Sequence, residues 1–283
     1  MSQLDGIQVN YVREFTKLSL WYAHKRIREG ESDFEDAINV RVNIYRNTLL
    51  YDGKRHPSQD VVGPEWAEIL DRLRAVIDTH MNDPSTERLE EAGLDLLWPY
   101  MKARLLQGGN PLPPLENRPY ECWSYNYSPG AVHLHIANLY QPRSPLSDMY
   151  IPFAAALLRL LNAGQAERPD IEIVRCGSWL NSVPPFQALF PPRWKQSAQP
   201  RLEVRYTMGY WGQFMDRRGD FHAWNGTRFR ETGAFPLPNL GCECPIVDVI
   251  DHLGQNFPAA VAYNAQKGYV LQVEPSERGW GIS

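Results

Sequence analysis

The sequence predicts an α+β protein: a helical N-terminal domain over residues 1–107, followed by a mixed-sheet domain over residues 115–283. Three observations carry this. Apolar residues recur at helical spacing through roughly the first hundred positions. The stretch Gln107-Gly108-Gly109-Asn110-Pro111-Leu112-Pro113-Pro114 then concentrates glycine and proline where neither a helix nor a central strand can use them, which marks a boundary. Beyond it the apolar period changes to the two-residue alternation of strands.

In the first domain, Tyr11, Phe15, Leu18 and Tyr22 define one amphipathic helix. Phe34, Ile38, Val42, Tyr45 and Leu49 define a second, with Ser32 or Asp33 placed to cap it. A third begins at Pro64 and carries the wide stripe Trp66, Ile69, Leu70, Leu73, Val76 and Ile77. A fourth starts near Pro84-Ser85 and runs towards Leu97, with Pro99 expected to bend or end it.

In the second domain, Ala131-Val132-His133-Leu134-His135-Ile136-Ala137-Asn138 reads as a strand, Met149–Leu161 as a helix and Ile171–Arg175 as a further strand. The connection is long enough for a parallel crossover. Leu202, Val204, Tyr206 and Met208 alternate as another strand. A helix follows from Pro245 through Ile246, Val249, Ile250 and Leu253, and two short strands, Ala259–Tyr263 and Tyr269–Val273, are expected after it.

Composition narrows the function. A net charge of −4 with Arg and Lys scattered among acids argues against nucleic acid as a partner. The opening residues lack the basic-then-apolar layout of a signal peptide, and the longest apolar stretch, around Phe153–Leu161, is too short for a bilayer, so a cytoplasmic protein with no membrane partner is expected. Cys122, Cys176, Cys242 and Cys244 match neither a disulfide framework nor a C-x-x-C knuckle and read as reduced thiols.

His133 and His135 are the leading site candidates, because side chains two apart on a strand share a face where a core strand normally carries apolar groups. With His222, beside Asp220, they form a candidate iron or zinc ligand set. Without metal, either ring can do acid–base or substrate-binding work, or simply be a core histidine with satisfied nitrogens. Ser178 and Trp179 lie where a strand ends, a common ligand position in open sheets. Tyr210, Trp211 and Gln213, continuing to His222, combine aromatic walls with polar groups and glycines as small-molecule pockets do. Cys176 reads as a buried small hydrophobe or a nucleophile. Cys242 and Cys244, with Asp248 and His252, imitate a metal cluster whose spacing fits no common zinc site. The alternating Tyr120, Trp123, Tyr125 and Tyr127 read as one packed sheet face.

The helical first part, the strand ending in Leu134-His135-Ile136, the turn Ser144-Pro145-Leu146, the following helix, and the words Ser178-Trp179-Leu180 and Leu189-Phe190-Pro191 resemble bacterial two-domain acyltransferases with a helical N-terminal domain and a GNAT-like C-terminal domain. The likeness covers residues 120–255, and Asn181-Ser182-Val183 stands where Leu-Asp-Pro tends to follow in that family. The resemblance implies a GNAT-like fold and an acyltransferase acting on a small amine or carrier-bound substrate, with an acyl thioester donor and a carrier protein as a candidate partner. GNAT enzymes hold the coenzyme A pyrophosphate on a glycine-bearing loop. The corresponding loop here, residues 140–148, has no glycine and offers Arg143, Ser144 and Ser147. In such a reaction His135, with His133 beside it, is the candidate catalytic base, and Ser178, Trp179, Tyr210, Trp211, Gln213 and His222 are the candidate substrate contacts. Two other classes stay open: a His-ligated non-haem iron or zinc enzyme, and a non-catalytic small-molecule or partner-binding protein.

Overall fold

The computed structural model describes residues 6–108 and 118–268. Its α-helices are α1 (Gly6–Arg28), α2 (Pro64–His80), α3 (Glu87–Leu106), α4 (Tyr150–Glu167), α5 (Pro184–Gln187), α6 (Pro192–Gln196), α7 (Met208–Trp211), α8 (Ala223–Thr232), α9 (Ile246–Asn256) and α10 (Pro258–Gln266). Its strands are β1 (Trp123–Ser128), β2 (Ala131–Ile136), β3 (Ile173–Ser178), β4 (Gln199–Pro200) and β5 (Leu240–Pro245). The protein is α+β, and the chain forms two compact units: Met1–Pro111 with Glu203–Pro236, and Leu112–Leu202 with Leu237–Ser283. Residues 203–236, expected within the second domain, thus group with the helical unit. The glycine- and proline-rich boundary falls largely on residues 109–117, outside the described residues.

In the helical unit, α1 buries Tyr11, Phe15, Leu18 and Tyr22, as its spacing predicts, and packs on α3. Gly93 of α3 makes the approach close, since a Cβ there would lie 2.8 Å from Leu20 Cδ1. Trp66, Leu73, Leu97 and Met101 extend the core, and the returning segment adds Trp211, Phe214 and Phe229. Trp211 sits edge-on to Phe15 and Tyr22, with ring centroids 5.6 Å away in each case. Aromatic pairs in that geometry are stabilised beyond their buried area. Glu90, buried on α3, accepts from both Nη atoms of Arg230 on α8 at 2.8 Å, the fork geometry in which a carboxylate tolerates burial.

Three expectations for these segments are corrected. The second helix is a short turn at residues 34–35 that continues as a π-helix, Asp36–Arg41, and then gives way to extended chain and a 3₁₀ turn at Tyr45–Asn47. Asp33 does cap its start, Oδ1 accepting from the Asp36 N–H at 2.7 Å. The β-branched Val40, Val42 and Ile44 weaken a helix there, and the carbonyls of Val40 and Arg41 accept instead from the Tyr206 N–H and the Trp211 indole. Of the two outcomes expected at Pro99, a bend or an end, the end does not occur, since α3 runs on to Leu106 with Met101 fully buried past the proline. Residues 202–208 form no long strand. Leu202 is 86% exposed and Tyr206 is buried, its ring stacked on His56 at 3.6 Å.

The second unit is built on one mixed sheet ordered β1-β2-β3-β5-β4. β2 and β3 are parallel and joined by α4, as the crossover reading requires, and the other neighbours are antiparallel. One face carries Trp123, Val132, Leu134, Val174, Cys176, Cys242 and Cys244 into a core completed by α4, α9 and α10. Trp123 stacks on Phe153 of α4 at 4.4 Å and donates from Nε1 to the Phe153 carbonyl. Glu121 and Arg159 form a buried ion pair at 3.0 Å. Tyr140 Oη donates to Glu121, and Arg159 donates further to Asn264 Oδ1 at 2.5 Å, which ties α4 to α10.

Residues 259–263 lie in α10 and not in a strand. Pro258 is pre-set for a first helical turn, and Ala260 packs into the core. The strand expected at Tyr269–Val273 lies outside the described residues. Among the described residues no helix is long and apolar enough to cross a membrane.

Candidate functional site

Alternation along the sheet puts the apolar side chains on one face and leaves the other face polar. The registers Asn126↔His133, His133↔Arg175 and Arg175↔Glu243 line up one row across four strands, from β1 to β5. Arg175 Nε donates to Glu243 Oε2 at 2.6 Å, so the end of the row is an ion pair. A cavity of about 360 Å³ opens beside it, with Ile173, Arg193, Ser197, Glu243 and Pro245 among its lining residues.

The two imidazoles are oriented by β1. His135 Nε2 donates to Asn126 Oδ1 at 2.5 Å, which fixes the proton on Nε2 and leaves Nδ1 as a lone-pair acceptor. His133 Nε2 and Ser128 Oγ share a hydrogen bond at 2.8 Å. Both rings are half-buried, and their pKa values are pushed below the ordinary imidazole value. For His133 the cause is burial, then the Arg175 charge; for His135 it is burial, then His133. At neutral pH the pair is uncharged, the state in which an imidazole accepts a proton.

The ladder between β2 and β3 covers only Ala131–His133 against Ile173–Arg175. Both strands run on, β2 paired with β1 up to Ile136 and β3 paired with β5 up to Ser178. Leu134–Ile136 and Cys176–Ser178 therefore face each other without ladder hydrogen bonds. Backbone edges outside a ladder can accept an extended ligand carrying amide groups, as an added strand would be accepted. On this stretch the Cys176 carbonyl is already taken by Asn181 Nδ2 at 2.9 Å. His135 stands on β2 two residues beyond His133, the last residue paired with β3.

The remaining sequence candidates fall elsewhere. Ser178 projects from β3 on the same side as Val174 and Cys176, opposite the histidine face, and its Oγ caps the following 3₁₀ turn by accepting from the Leu180 N–H at 3.1 Å. Trp179 begins that turn. Tyr210, Trp211, Gln213 and His222 belong to the helical unit. Tyr210 and Trp211 are core side chains there, and Gln213 is buried with Nε2 donating to the Tyr210 carbonyl, so this stretch is packing in place of the expected pocket wall. His222 is the N-cap of α8, its Nδ1 accepting from the Asn225 N–H.

Among the described residues no group of three or more His, Cys, Asp and Glu side chains is gathered as a metal site, and His222 belongs to a different unit from His133 and His135. Cys242 and Cys244 lie on β5 with both thiols turned into the core. Burial pushes the Cys176 thiol up to about 12, so it is a packed side chain and not a nucleophile. In the loop before α4, the Ser144 N–H donates to Asp148 Oδ2 and the Leu146 N–H to Ser144 Oγ. These backbone donors are thus used within the loop.

Sequence reasoning missed Asn126, Ser128, Arg175 and Glu243 on the histidine face. The Ser124-x-Asn126-x-Ser128 alternation carried a usable signal, since residues between inward-facing aromatics must face outward. Comparison with known families, curated proteins and solved structures finds no match to this chain.

Proposed function

We propose that the polar sheet face of the second unit is the catalytic face of an acyltransferase-like enzyme, with a GNAT-like domain acting on a small amine or a carrier-bound substrate. The observation that carries the reading is the His135 ring: neutral, its Nε2–H committed to Asn126, its Nδ1 left as a base, on the stretch of β2 that runs on past its ladder with β3. An acyl thioester whose extended arm carries amides suits backbone edges of that kind. As the amine nitrogen attacks the thioester carbonyl, His135 Nδ1 takes the proton the amine loses, the C–S bond breaks, and the thiolate leaves to be protonated as a free thiol. His133 supports the neutral state of its neighbour.

The test is thiol release from a series of acyl-coenzyme A thioesters offered with small amines, on the wild type and on His135→Ala with circular dichroism as a folding control. The expected result is amine-dependent release lost by about two orders of magnitude in a folded variant, the usual scale of general-base catalysis. Absence of release with every thioester, or equal rates in the two proteins, overturns the reading.

A further inference from the structure

The two edges of the sheet are built differently. β4, at one end, is two residues long, contains Pro200 and is followed by Arg201. Short strands, proline and charge are the usual means of keeping an edge from pairing. β1, at the other end, runs for six residues, Trp123–Ser128, and holds no charged residue, proline or glycine. The unguarded edge is thus the longer one.

The ladder fixes which backbone groups of β1 point outward. In an antiparallel pair, hydrogen-bonded and non-hydrogen-bonded residue pairs alternate. The Ala137 N–H donates to the Cys122 carbonyl at 3.0 Å, so Ser124, Asn126 and Ser128, which follow Cys122 in steps of two, bond to β2. The N–H and C=O of Tyr125 and Tyr127 therefore face away from the sheet, and among the described residues no backbone group pairs with them.

The side chains of β1 suit a copy of itself. Ser124, Asn126 and Ser128 lie on the histidine face, with Asn126 exposed, while Tyr125 and Tyr127 lie half-buried on the core face with ring centroids 5.2 Å apart. Two such strands can be laid antiparallel about a two-fold axis that passes between their Asn126 residues. Tyr125 of each copy then meets Tyr127 of the other as a hydrogen-bonded pair, and every outward N–H and C=O of these tyrosines finds a partner. Tyrosine faces tyrosine on one side of the sheet, serine faces serine on the other, and no like charges are brought together.

We infer that the outer edge of β1 is an interface between two copies of this chain, paired antiparallel with Asn126 beside the two-fold axis. The sheet then runs unbroken through both copies, with both histidine faces on the same side. This interface stands apart from the His135 reading and requires no turnover.

The test is the mass of the full chain, measured by light scattering after gel filtration across a dilution series, with two replacements at one position. Tyr127→Pro removes an outward N–H and leaves the ladder to β2 intact, since that N–H takes no part in it. Tyr127→Val removes the same ring and keeps the N–H. The wild type and Tyr127→Val should show twice the chain mass, and Tyr127→Pro should dimerise about tenfold or more weakly, the size expected for losing one hydrogen bond on each side of the axis. Register is read by oxidised glutathione, which is reduced to two thiols as two facing cysteines join. Asn126→Cys, where a non-hydrogen-bonded pair brings the two Cα atoms to about 4.5 Å, should become a disulfide-linked dimer. Ser124→Cys, which faces Ser128 of the other copy, should not. If circular dichroism shows that Tyr127→Pro does not fold, the two cysteine variants decide alone. A wild type of one chain mass, equal dimerisation of folded Tyr127→Pro and Tyr127→Val, failure of Asn126→Cys to cross-link, or cross-linking of Ser124→Cys in its place overturns the inference.

Discussion

Asn126 is the register partner of His133 yet hydrogen-bonds to His135, one step diagonally along the ladder. Ser128 does the same one pair further on, facing Ala131 but bonding to His133. The two contacts tilt both imidazoles the same way along β2. Diagonal neighbours in an antiparallel pair are within reach of long side chains, so β1 acts as a rack that sets the orientation of both rings and the tautomer of His135.

Replacing Asn126 with Asp puts a carboxylate where the amide oxygen accepts from His135 Nε2. An anion beside the ring favours the imidazolium, so the His135 pKa, now held down by burial and by His133, should rise. Titration of the ring resonances checks this, and a pKa that stays put or falls would show that Asn126 does not control the ring.

His56 should make the helical unit acid-sensitive. It is buried, and burial together with the Arg46 charge pushes its pKa down to about 3. Above the unfolded value of about 6.5 the ring is neutral in both states and contributes nothing to the pH dependence. Below it the unfolded chain binds a proton that the native chain refuses, so stability falls until the pH reaches the native value. Between pH 7.5 and 5 this amounts to about 2 kcal/mol. Urea melts at the two pH values should show His56→Gln losing less stability than the wild type over that interval by about this amount.

The thiols should be silent in the native protein. Burial pushes Cys122 and Cys242 up to about 11 and Cys176 and Cys244 up to about 12. Because the thiolate is the nucleophile, iodoacetamide at pH 8 should leave all four unmodified until denaturant is added. Mass spectrometry reads the count directly. Rapid native modification of Cys176 would reopen the nucleophile reading.

Arg159→Met should be strongly destabilising. Removing the guanidinium leaves Glu121 buried beside Tyr140 without its counter-charge, a loss of about 3–5 kcal/mol for pairs of this kind. The midpoint of urea unfolding is the measurement. A shift within error of the wild type would mean that the pair contributes little here.

The parts of the fold legible in sequence are those whose pattern is made within one element. β2, α4 and β3 follow from alternation and helical spacing, and β1 from its aromatic alternation. β5 was hidden because Leu240-Gly241-Cys242-Glu243-Cys244-Pro245 carries a glycine and a proline, and its inward residues are cysteines that read as metal ligands. The alternating Ala259-Ala260-Val261-Ala262-Tyr263 imitates a strand, although its small residues are what let α10 lie against α4. The histidine pair was legible because both members sit on one strand. The Arg175–Glu243 pair was not, because it depends on β3 lying beside β5, and no local pattern reports which strand will be the neighbour.

The return of residues 203–236 to the helical unit bears on how the chain is made. A ribosome releases Met1–Pro111 before residues 203–236, yet that segment lacks Trp211, Phe214 and Phe229, the rings that close its core. It must wait for more than a hundred further residues before it can seal, and throughout that interval Phe15 and Tyr22 lack the rings they finally pack against. Severing the chain between Pro111 and Leu112 would yield an N-terminal fragment that stays incomplete until residues 203–236 are supplied from outside.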